Sequence, residues 1–213
     1  MVSIMTTVPR SQSFRLAKVC SMLFLCLNSY ILTIYITEEM VHHLESGMFY
    51  FACSTPISRK YWEPTTDRLN ASARSLTDYI ASYNPSTAKT THLRLKGFPT
   101  SVPLALHGMD VVTSASNPSE LLVYAINHRP PTTGDAKDVG ADSVVELFTT
   151  KPGSNELQYV KTFEDPSVII TPNDVVGYGD GSFYFTNDHR KRIGIVGVIP
   201  STQISVSLTC AVH

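Results

Sequence analysis

The sequence contains few cysteines and few charged residues, and these shortages exclude several classes of protein. Its 213 residues include only four cysteines and no C-x-x-C motif, so neither a disulfide framework nor a zinc ribbon is expected. Charged residues make up 16% of the chain, below the roughly 25% of average globular proteins. The formal net charge is -1, which gives no basic excess for nucleic-acid binding. With 43% hydrophobic residues, the chain is expected to fold, as one domain or part of a larger one.

Three common catalytic motifs are also missing. The sequence has no G-x-S-x-G nucleophile elbow, no H-E-x-x-H zinc-binding helix and no P-loop. Each motif supplies a specific group, namely an exposed serine, a pair of metal-binding histidines or a phosphate cradle. A serine hydrolase of the elbow type, a zincin and an ordinary nucleotide enzyme are therefore not expected.

The longest uncharged run is hydrophobic and covers residues 19–36. It follows a basic leader, residues 1–18, and stops at Glu38-Glu39. The run is at the lower limit for spanning a bilayer, and its flanking charges favour a cytoplasmic N-terminus and a translocated remainder. Three interpretations stay open: an uncleaved anchor, a cleaved signal peptide with its apolar region at residues 19–27, and a first strand of the fold. The first two predict a secretory-pathway protein, anchored or extracellular, and the third predicts a cytoplasmic one.

A translocated chain would expose one glycosylation sequon. Asn70-Ala71-Ser72 fits the N-x-S/T pattern, so Asn70 is the predicted acceptor of an N-linked glycan.

The rest of the chain consists of short β-like runs separated by turn residues. The runs are rich in Val, Ile, Tyr, Phe and Thr, and Gly, Pro, Asn or Asp usually stand between them. They cover Met48–Cys53 and residues 78–83, 91–95, 121–127, 143–149, 157–162, 182–186, 193–199 and 203–208. Residues 72–83 also fit helical spacing, but the turn sequence at 84–87 favours a hairpin. The sequence predicts an all-β fold, either a sandwich, a barrel or a propeller.

Polar residues next to these runs are the candidates for chemistry, and we expect them at strand ends. The candidates are Glu38-Glu39, His107-Gly108, Asn127-His128, Asn173-Asp174 and Asn187-Asp188-His189. Carboxylate and amide oxygens are the hard donors that calcium takes, and consecutive strand side chains point to opposite sides, so an Asn-Asp pair could serve two neighbouring ions. The alternative is ordinary turn chemistry, in which Asn and Asp bond their own backbone. The residues alone leave both interpretations open.

These candidates lie in a set of segments that resembles the serum paraoxonase/arylesterase family. The matching segments are residues 106–109, 124–128, 143–148, 171–176 and 183–189. Their order and intervening lengths fit together over roughly residues 38–190. The resemblance implies a six-bladed β-propeller and a hydrolase of lactones and aryl esters that depends on two calcium ions.

The resemblance also implies the residues of the catalytic pocket. His107 would be the general base that activates water, and His128 would tune it or relay its proton. Glu38 and Asn173 would bind the catalytic calcium, which polarises the substrate carbonyl. His189 would lie near the pocket wall.

The second, structural calcium would have three ligands in this chain. They would be Glu39, Asp174 and the main-chain carbonyl of Met109. At Glu39 the sequence departs from the family, which has Asp there, and the longer side chain could crowd a tightly coordinated ion.

The chain provides only part of the family's propeller. Residues 37–190 supply material for about three of six four-stranded blades. The family's second half supplies another Asn and an Asp-Asn pair to the catalytic ion. The tail, residues 191–213, is apolar, contains no Asp, Glu or Asn, and has no blade partner assigned to it. The expected open edge is a site at which copies could associate.

Two functions therefore stay open. The first is a calcium-dependent lactonase or arylesterase that acts on a small ester or lactone. The second is a catalytically incompetent, truncated propeller fragment, membrane-associated or lumenal, with at most a residual calcium site. If Glu38 and Glu39 line the tunnel, part of residues 19–36 must be a strand, and too few residues remain to span a membrane.

Overall fold

The structure, a computed structural model, describes residues 37–74, 77–194 and 205–209. The leader at 1–18, the hydrophobic segment at 19–36 and most of the tail at 191–213 lie outside the described residues, so the predictions made for them stay predictions. Among the described helices, none is both long and apolar enough to cross a bilayer.

Short strands make up most of the described chain, with two short helices between them. The strands are β1 (Thr37–His43), β2 (Met48–Cys53), β3 (Trp62–Glu63), β4 (Arg68–Leu69), β5 (Tyr79–Asn84), β6 (Lys89–His92), β7 (Arg94–Lys96), β8 (Leu106–Thr113), β9 (Leu121–Arg129), β10 (Asp142–Thr150), β11 (Glu156–Phe163), β12 (Pro172–Gly177), β13 (Phe183–Asn187) and β14 (Ser205–Thr209). The α-helices are α1 (Pro56–Tyr61) and α2 (Ala136–Val139), and 3-10 turns cover Pro64–Thr66 and Ala71–Ala73.

Three mainly antiparallel sheets that follow one another along the chain contain most of the described strands, and β3 and β4 form a separate two-stranded sheet. The first has the order β1-β2-β5-β6, the second β8-β9-β10-β11 with β7 added in parallel beside β11, and the third β12-β13-β14. The first strand of the second sheet, β8, packs against the first strands of both neighbours, β1 and β12. Sequential meanders whose first strands meet at a common centre are the blades of a propeller. The predicted all-β partial propeller of about three blades is confirmed.

The middle blade packs against both of its neighbours, in two separate hydrophobic clusters, because strand side chains alternate in direction. On β9, Leu121, Val123 and Ala125 join the cluster shared with the first blade. Leu122, Tyr124 and Ile126 join the cluster shared with the third blade. Period-two alternation thus places successive side chains in two different cores. Burial of each large apolar side chain contributes about 1.5–3 kcal/mol, so both blade interfaces depend on this one strand.

Most predicted strands match observed ones within a few residues, including the hairpin. β5 and β6 pair antiparallel, which confirms the hairpin over the helix from residue 79 onward. Five observed strands, β1, β3, β4, β8 and β12, have no counterpart among the predicted β-like runs. The predicted strand over 193–199 is not present at residues 193 and 194, and its remainder lies outside the described residues.

Part of the tail pairs with the third sheet. β14 pairs antiparallel with β13, so the expectation of no blade partner is wrong for Ser205–Thr209. Alternating Ser and aliphatic residues there suit a strand added to an existing sheet.

Candidate functional site

The predicted site residues gather at one end of the propeller. Glu38, His107 and Asn173 lie at or near the starts of β1, β8 and β12, the three central strands. His128 lies near the end of β9, which runs antiparallel to β8. The start of one strand therefore lies beside the end of the other. These positions agree with the expectation that the residues lie at strand ends, although all four lie within the strands and not in the flanking turns.

Gly108 allows β8 and β12 to approach closely. A Cβ at this position would overlap the carbonyl oxygen of Asn173 and lie 2.8 Å from the Cα of Asp174. No larger residue fits without a backbone shift. This contact places His107 and Met109 beside the Asn173-Asp174 backbone.

A buried arginine from α1 organises the centre of the site. Arg59 is only 7% exposed. Its Nε lies 3.1 Å from Glu38 Oε1 and donates to Ser54 Oγ at 2.8 Å, and its Nη1 donates to Glu63 Oε2 at 3.0 Å. Its Nη2 donates to the carbonyl of Leu106, the residue before His107. The planar guanidinium thus fixes two carboxylates and the start of β8 at once.

The same two carboxylates face His107. Nδ1 of His107 lies 3.6 Å from Glu38 Oε2 and 3.6 Å from Glu63 Oε1, and the candidate ligand atoms of all three lie within 4.8 Å of one another. Thr65 Oγ1 donates to Glu63 Oε1 at 2.9 Å, which fixes that carboxylate. Two carboxylates share one guanidinium, so the cluster carries net negative charge. Such a cluster stabilises a protonated imidazole or a cation.

His128 lies beside His107 and is fully buried. The two rings are 5.2 Å apart between centroids and tilted by 58°. His128 Nδ1 is hydrogen-bonded to Ser143 Oγ at 2.8 Å, whereas Nε2 has no hydrogen-bond partner among the described residues. Burial holds the pKa of His128 well below its usual value, and repulsion from His107 and Arg59 adds to this. His128 is therefore neutral near pH 7.

The predicted calcium ligands lie on the three central strands. Asn173 Nδ2 donates to Asp188 Oδ2 at 2.5 Å, which turns the amide oxygen away from that contact. Asp174 Oδ1 accepts from the amide of Val175 at 2.8 Å, and Glu39 Oε1 accepts from the amide of Met40 at 3.3 Å. The atoms predicted to bind calcium are all oxygens, including the main-chain carbonyl oxygen of Met109. Oxygen ligands suit a hard cation.

His189 is held through hydrogen bonds to two threonines. Its Nε2 donates to the Thr65 carbonyl at 2.9 Å, and its main-chain amide donates to Thr171 Oγ1 at 2.9 Å. Thr65 in turn bonds Glu63, so His189 supports the segment that carries this carboxylate. Its predicted place at the pocket wall stays a prediction.

The predicted glycosylation residue is exposed. Asn70 Oδ1 accepts from Ser72 Oγ at 2.9 Å and from the amide of Ala73 at 3.3 Å. An exposed, locally ordered sequon is accessible to modification, and the glycan stays a prediction.

Arg59 and Glu63 were not among the residues predicted from the sequence. A local signal for them exists, because Thr55 is followed by Pro56, the N-cap and first-turn pattern of a helix. Residue 63 is four positions after residue 59, a spacing at which Arg and Glu pair in a helix, but α1 ends at Tyr61 and Glu63 lies on β3. Their burial at the propeller centre could not be read from that pattern.

Comparison with known proteins identifies one family. The model of the arylesterase family matches residues 28–199, more than half of this chain. A search of curated proteins finds no match.

Proposed function

Because this chain belongs to the arylesterase family of paraoxonase-type hydrolases, we propose that it hydrolyses aryl esters and lactones in a calcium-dependent reaction. The observation that supports this most directly is the position of His107, whose Nδ1 lies 3.6 Å from each of two carboxylates. Carboxylates that face one nitrogen of an imidazole favour the protonated ring. They therefore stabilise the imidazolium cation that forms when the ring, acting as a general base, accepts a proton from water.

The donor chemistry of the site fits calcium. Glu38 and Asn173 would hold one ion, and Glu39, Asp174 and the Met109 carbonyl would hold a second. Gly108 supports this assignment, since the close approach it permits places the last two ligands on adjoining backbones. When bound, the ion supplies Lewis-acid polarisation of a carbonyl and stabilises the developing oxyanion.

The protein side of the reaction centres on the two ring nitrogens of His107. Nδ1 carries the proton that faces Glu38 and Glu63, which leaves Nε2 to accept a proton from the attacking water. Positive charge then develops on the ring, where the carboxylates stabilise it. Arg59 keeps both carboxylates in position through this step.

His128 would tune this base rather than store its proton. Its low pKa keeps the ring neutral, so the cation stays on His107. Ser143 fixes the orientation of His128 through Nδ1, and Trp62 Nε1 donates to the His128 carbonyl at 2.7 Å. Nε2 of His128 is available as a transient proton acceptor beside His107.

One observation favours a second candidate function, a non-catalytic propeller. Glu38 Oε1 is already 3.1 Å from Arg59 Nε, so the guanidinium can neutralise this carboxylate without an ion. In that case the cluster is a structural ion-pair network, and the chain is the incompetent fragment that the sequence also allows.

His107→Gln separates these candidates. We expect the variant to lose aryl-ester and lactone hydrolysis by about 100-fold or more, because a general base contributes about 10²–10⁴. Calcium binding measured by calorimetry should persist, because Glu38, Asn173 and the other oxygen donors are unchanged. His92→Gln, at an exposed position on β6, is the matched control. Full activity of His107→Gln would remove the proposed role of His107.

A further inference from the structure

A basic groove lies beside α1 and does not include the residues of the His107 cluster. It has a volume of about 830 Å³ and is lined by four cationic side chains, Lys60, Arg68, Lys137 and Lys191. These residues come from α1, β4, α2 and the segment after β13. Four separate segments of the chain thus bring positive charge to one concavity.

Cationic side chains outnumber acidic ones in the lining of the groove. Asp67 is the one acidic residue in its lining, and its Oδ1 accepts from the amide of Gly194 at 3.2 Å. Within the described ranges, none of the three lysines forms a salt bridge with a described residue. The chain as a whole has a net charge of -1, so this is a local excess. Converging like charges repel each other, and a bound anion relieves that repulsion.

The groove is rigidly supported, which an anion site requires. Its floor includes Leu69, which packs with Trp62 in a buried cluster that Ile193 also joins. Arg68 Nη1 donates to the Arg59 carbonyl at 3.2 Å, which fixes the guanidinium, and Lys60 Nζ lies 5.1 Å from the centre of the Tyr61 ring. The hydrogen bond to the Arg59 carbonyl thus orients one of the four cations before any ligand arrives.

We propose that this groove binds a small polyanionic ligand of the diphosphate class. Its size falls in the range of about 300–1,000 Å³ that small-molecule sites occupy. Four cationic side chains around one groove suit a compact ligand that carries several negative charges. Arg68 provides a planar fork for phosphate oxygens, and the lysines provide point charges.

The test is calorimetric titration of the full chain with pyrophosphate, in calcium-free buffer because pyrophosphate binds calcium. Lys137→Gln and Lys191→Gln should each weaken binding by about tenfold or more, since each removes one charge from the groove. Lys137→Arg and Lys191→Arg, which keep the positive charge, should bind pyrophosphate about as tightly as the unaltered chain. Lys89→Gln, at an exposed position on β6, should leave affinity within about twofold of the unaltered chain. Circular dichroism confirms that each variant is folded.

A parallel titration of the chain with anionic phosphatidylglycerol vesicles shows whether the groove binds a membrane surface or a soluble anion. Pyrophosphate binding that follows the groove lysines supports the proposal. No binding at millimolar pyrophosphate, an equal loss in Lys89→Gln, or binding to vesicles alone would overturn it. Because no ester substrate enters this experiment, its outcome is independent of the proposed hydrolase activity.

Discussion

Gly108 of β8 lies so close to Asn173 of β12 that a Cβ on Gly108 would overlap the Asn173 carbonyl oxygen. This contact joins the second and third blades at the end of the propeller where His107 and the predicted calcium ligands lie. The fold and the site therefore depend on one close approach of two backbones. Hydrogen would be the only side chain that fits there without movement.

Gly108→Ala is expected to push β8 and β12 apart. The strain should lower the free energy of unfolding by about 1–3 kcal/mol, the usual cost of overpacking, and calcium affinity should fall with it. Urea denaturation measures the first effect and calorimetry the second. Thr113→Ser, at the other end of β8, keeps its hydroxyl contact with His43 and is the matched control. A Gly108→Ala chain as stable as the unaltered one would show that the two strands are not held this closely.

Arg59→Met is expected to destabilise the protein by about 3–5 kcal/mol, because it leaves two carboxylates without their shared cation. Adding Glu63→Gln should recover part of that loss, since one of the two charges is then removed. The matched control is Arg94→Met, whose partner Glu156 is 2.8 Å away but whose own side chain is 64% exposed. That surface pair should contribute under about 1 kcal/mol. Equal losses at Arg59 and Arg94 would contradict a central role for the buried cluster.

Asp78 should make stability depend on pH. Burial raises its pKa to about 6, although Arg59 and the Leu106 amide act in the opposite direction. Because the unfolded carboxyl ionises near pH 4, this group's stabilising contribution is complete below that pH and is lost as the pH rises toward 6. The loss is on the order of 3 kcal/mol. Urea denaturation between pH 4 and 7 should show that the free energy of unfolding of the unaltered chain falls relative to that of Asp78→Asn as the pH rises. If the free energies of unfolding of the two chains change in parallel with pH, Asp78 does not have the predicted effect.

His128 should remain neutral in the folded protein under mildly acidic conditions. Its pKa is lowered by burial, with further repulsion from His107 and Arg59, whereas the unfolded side chain binds a proton near pH 6.5. This group's contribution to stability is therefore lost as the pH falls below about 6.5. NMR of the ring should show no protonation between about pH 8 and 6. A ring that titrates as in an unfolded peptide would contradict the buried placement.

Much of the fold could be predicted from the sequence because the strands next to the central ones obey simple patterns. Met48–Cys53 is predicted and observed with the same bounds, and the predicted run at 121–127 lies within β9 (Leu121–Arg129). Both are rich in apolar side chains that pack between blades. Burial on both faces gives a nearly continuous hydrophobic run, which is a strong local signal.

The central strands escaped this kind of prediction for a physical reason. The second and third residues of β1, β8 and β12 are Glu38-Glu39, His107-Gly108 and Asn173-Asp174, and such polar and Gly residues do not give a strand pattern. In the proposed function these polar residues serve the site and not the core, which would explain why the sequence departs from the strand pattern there. Arg59 and Glu63 were missed because their importance comes from side-chain contacts with residues distant in sequence, Glu38 on β1 and His107 on β8.

The most direct test of the whole account measures the rate of aryl-acetate hydrolysis by the full chain as free calcium is raised from chelated to millimolar levels. We predict no turnover in chelator and a saturable rise with calcium. Glu38→Gln should shift that rise to higher calcium concentration, because it removes one charged oxygen ligand. Turnover that persists in chelator, or a calcium-loaded chain that hydrolyses nothing, would contradict the proposal that this propeller is a calcium-dependent hydrolase.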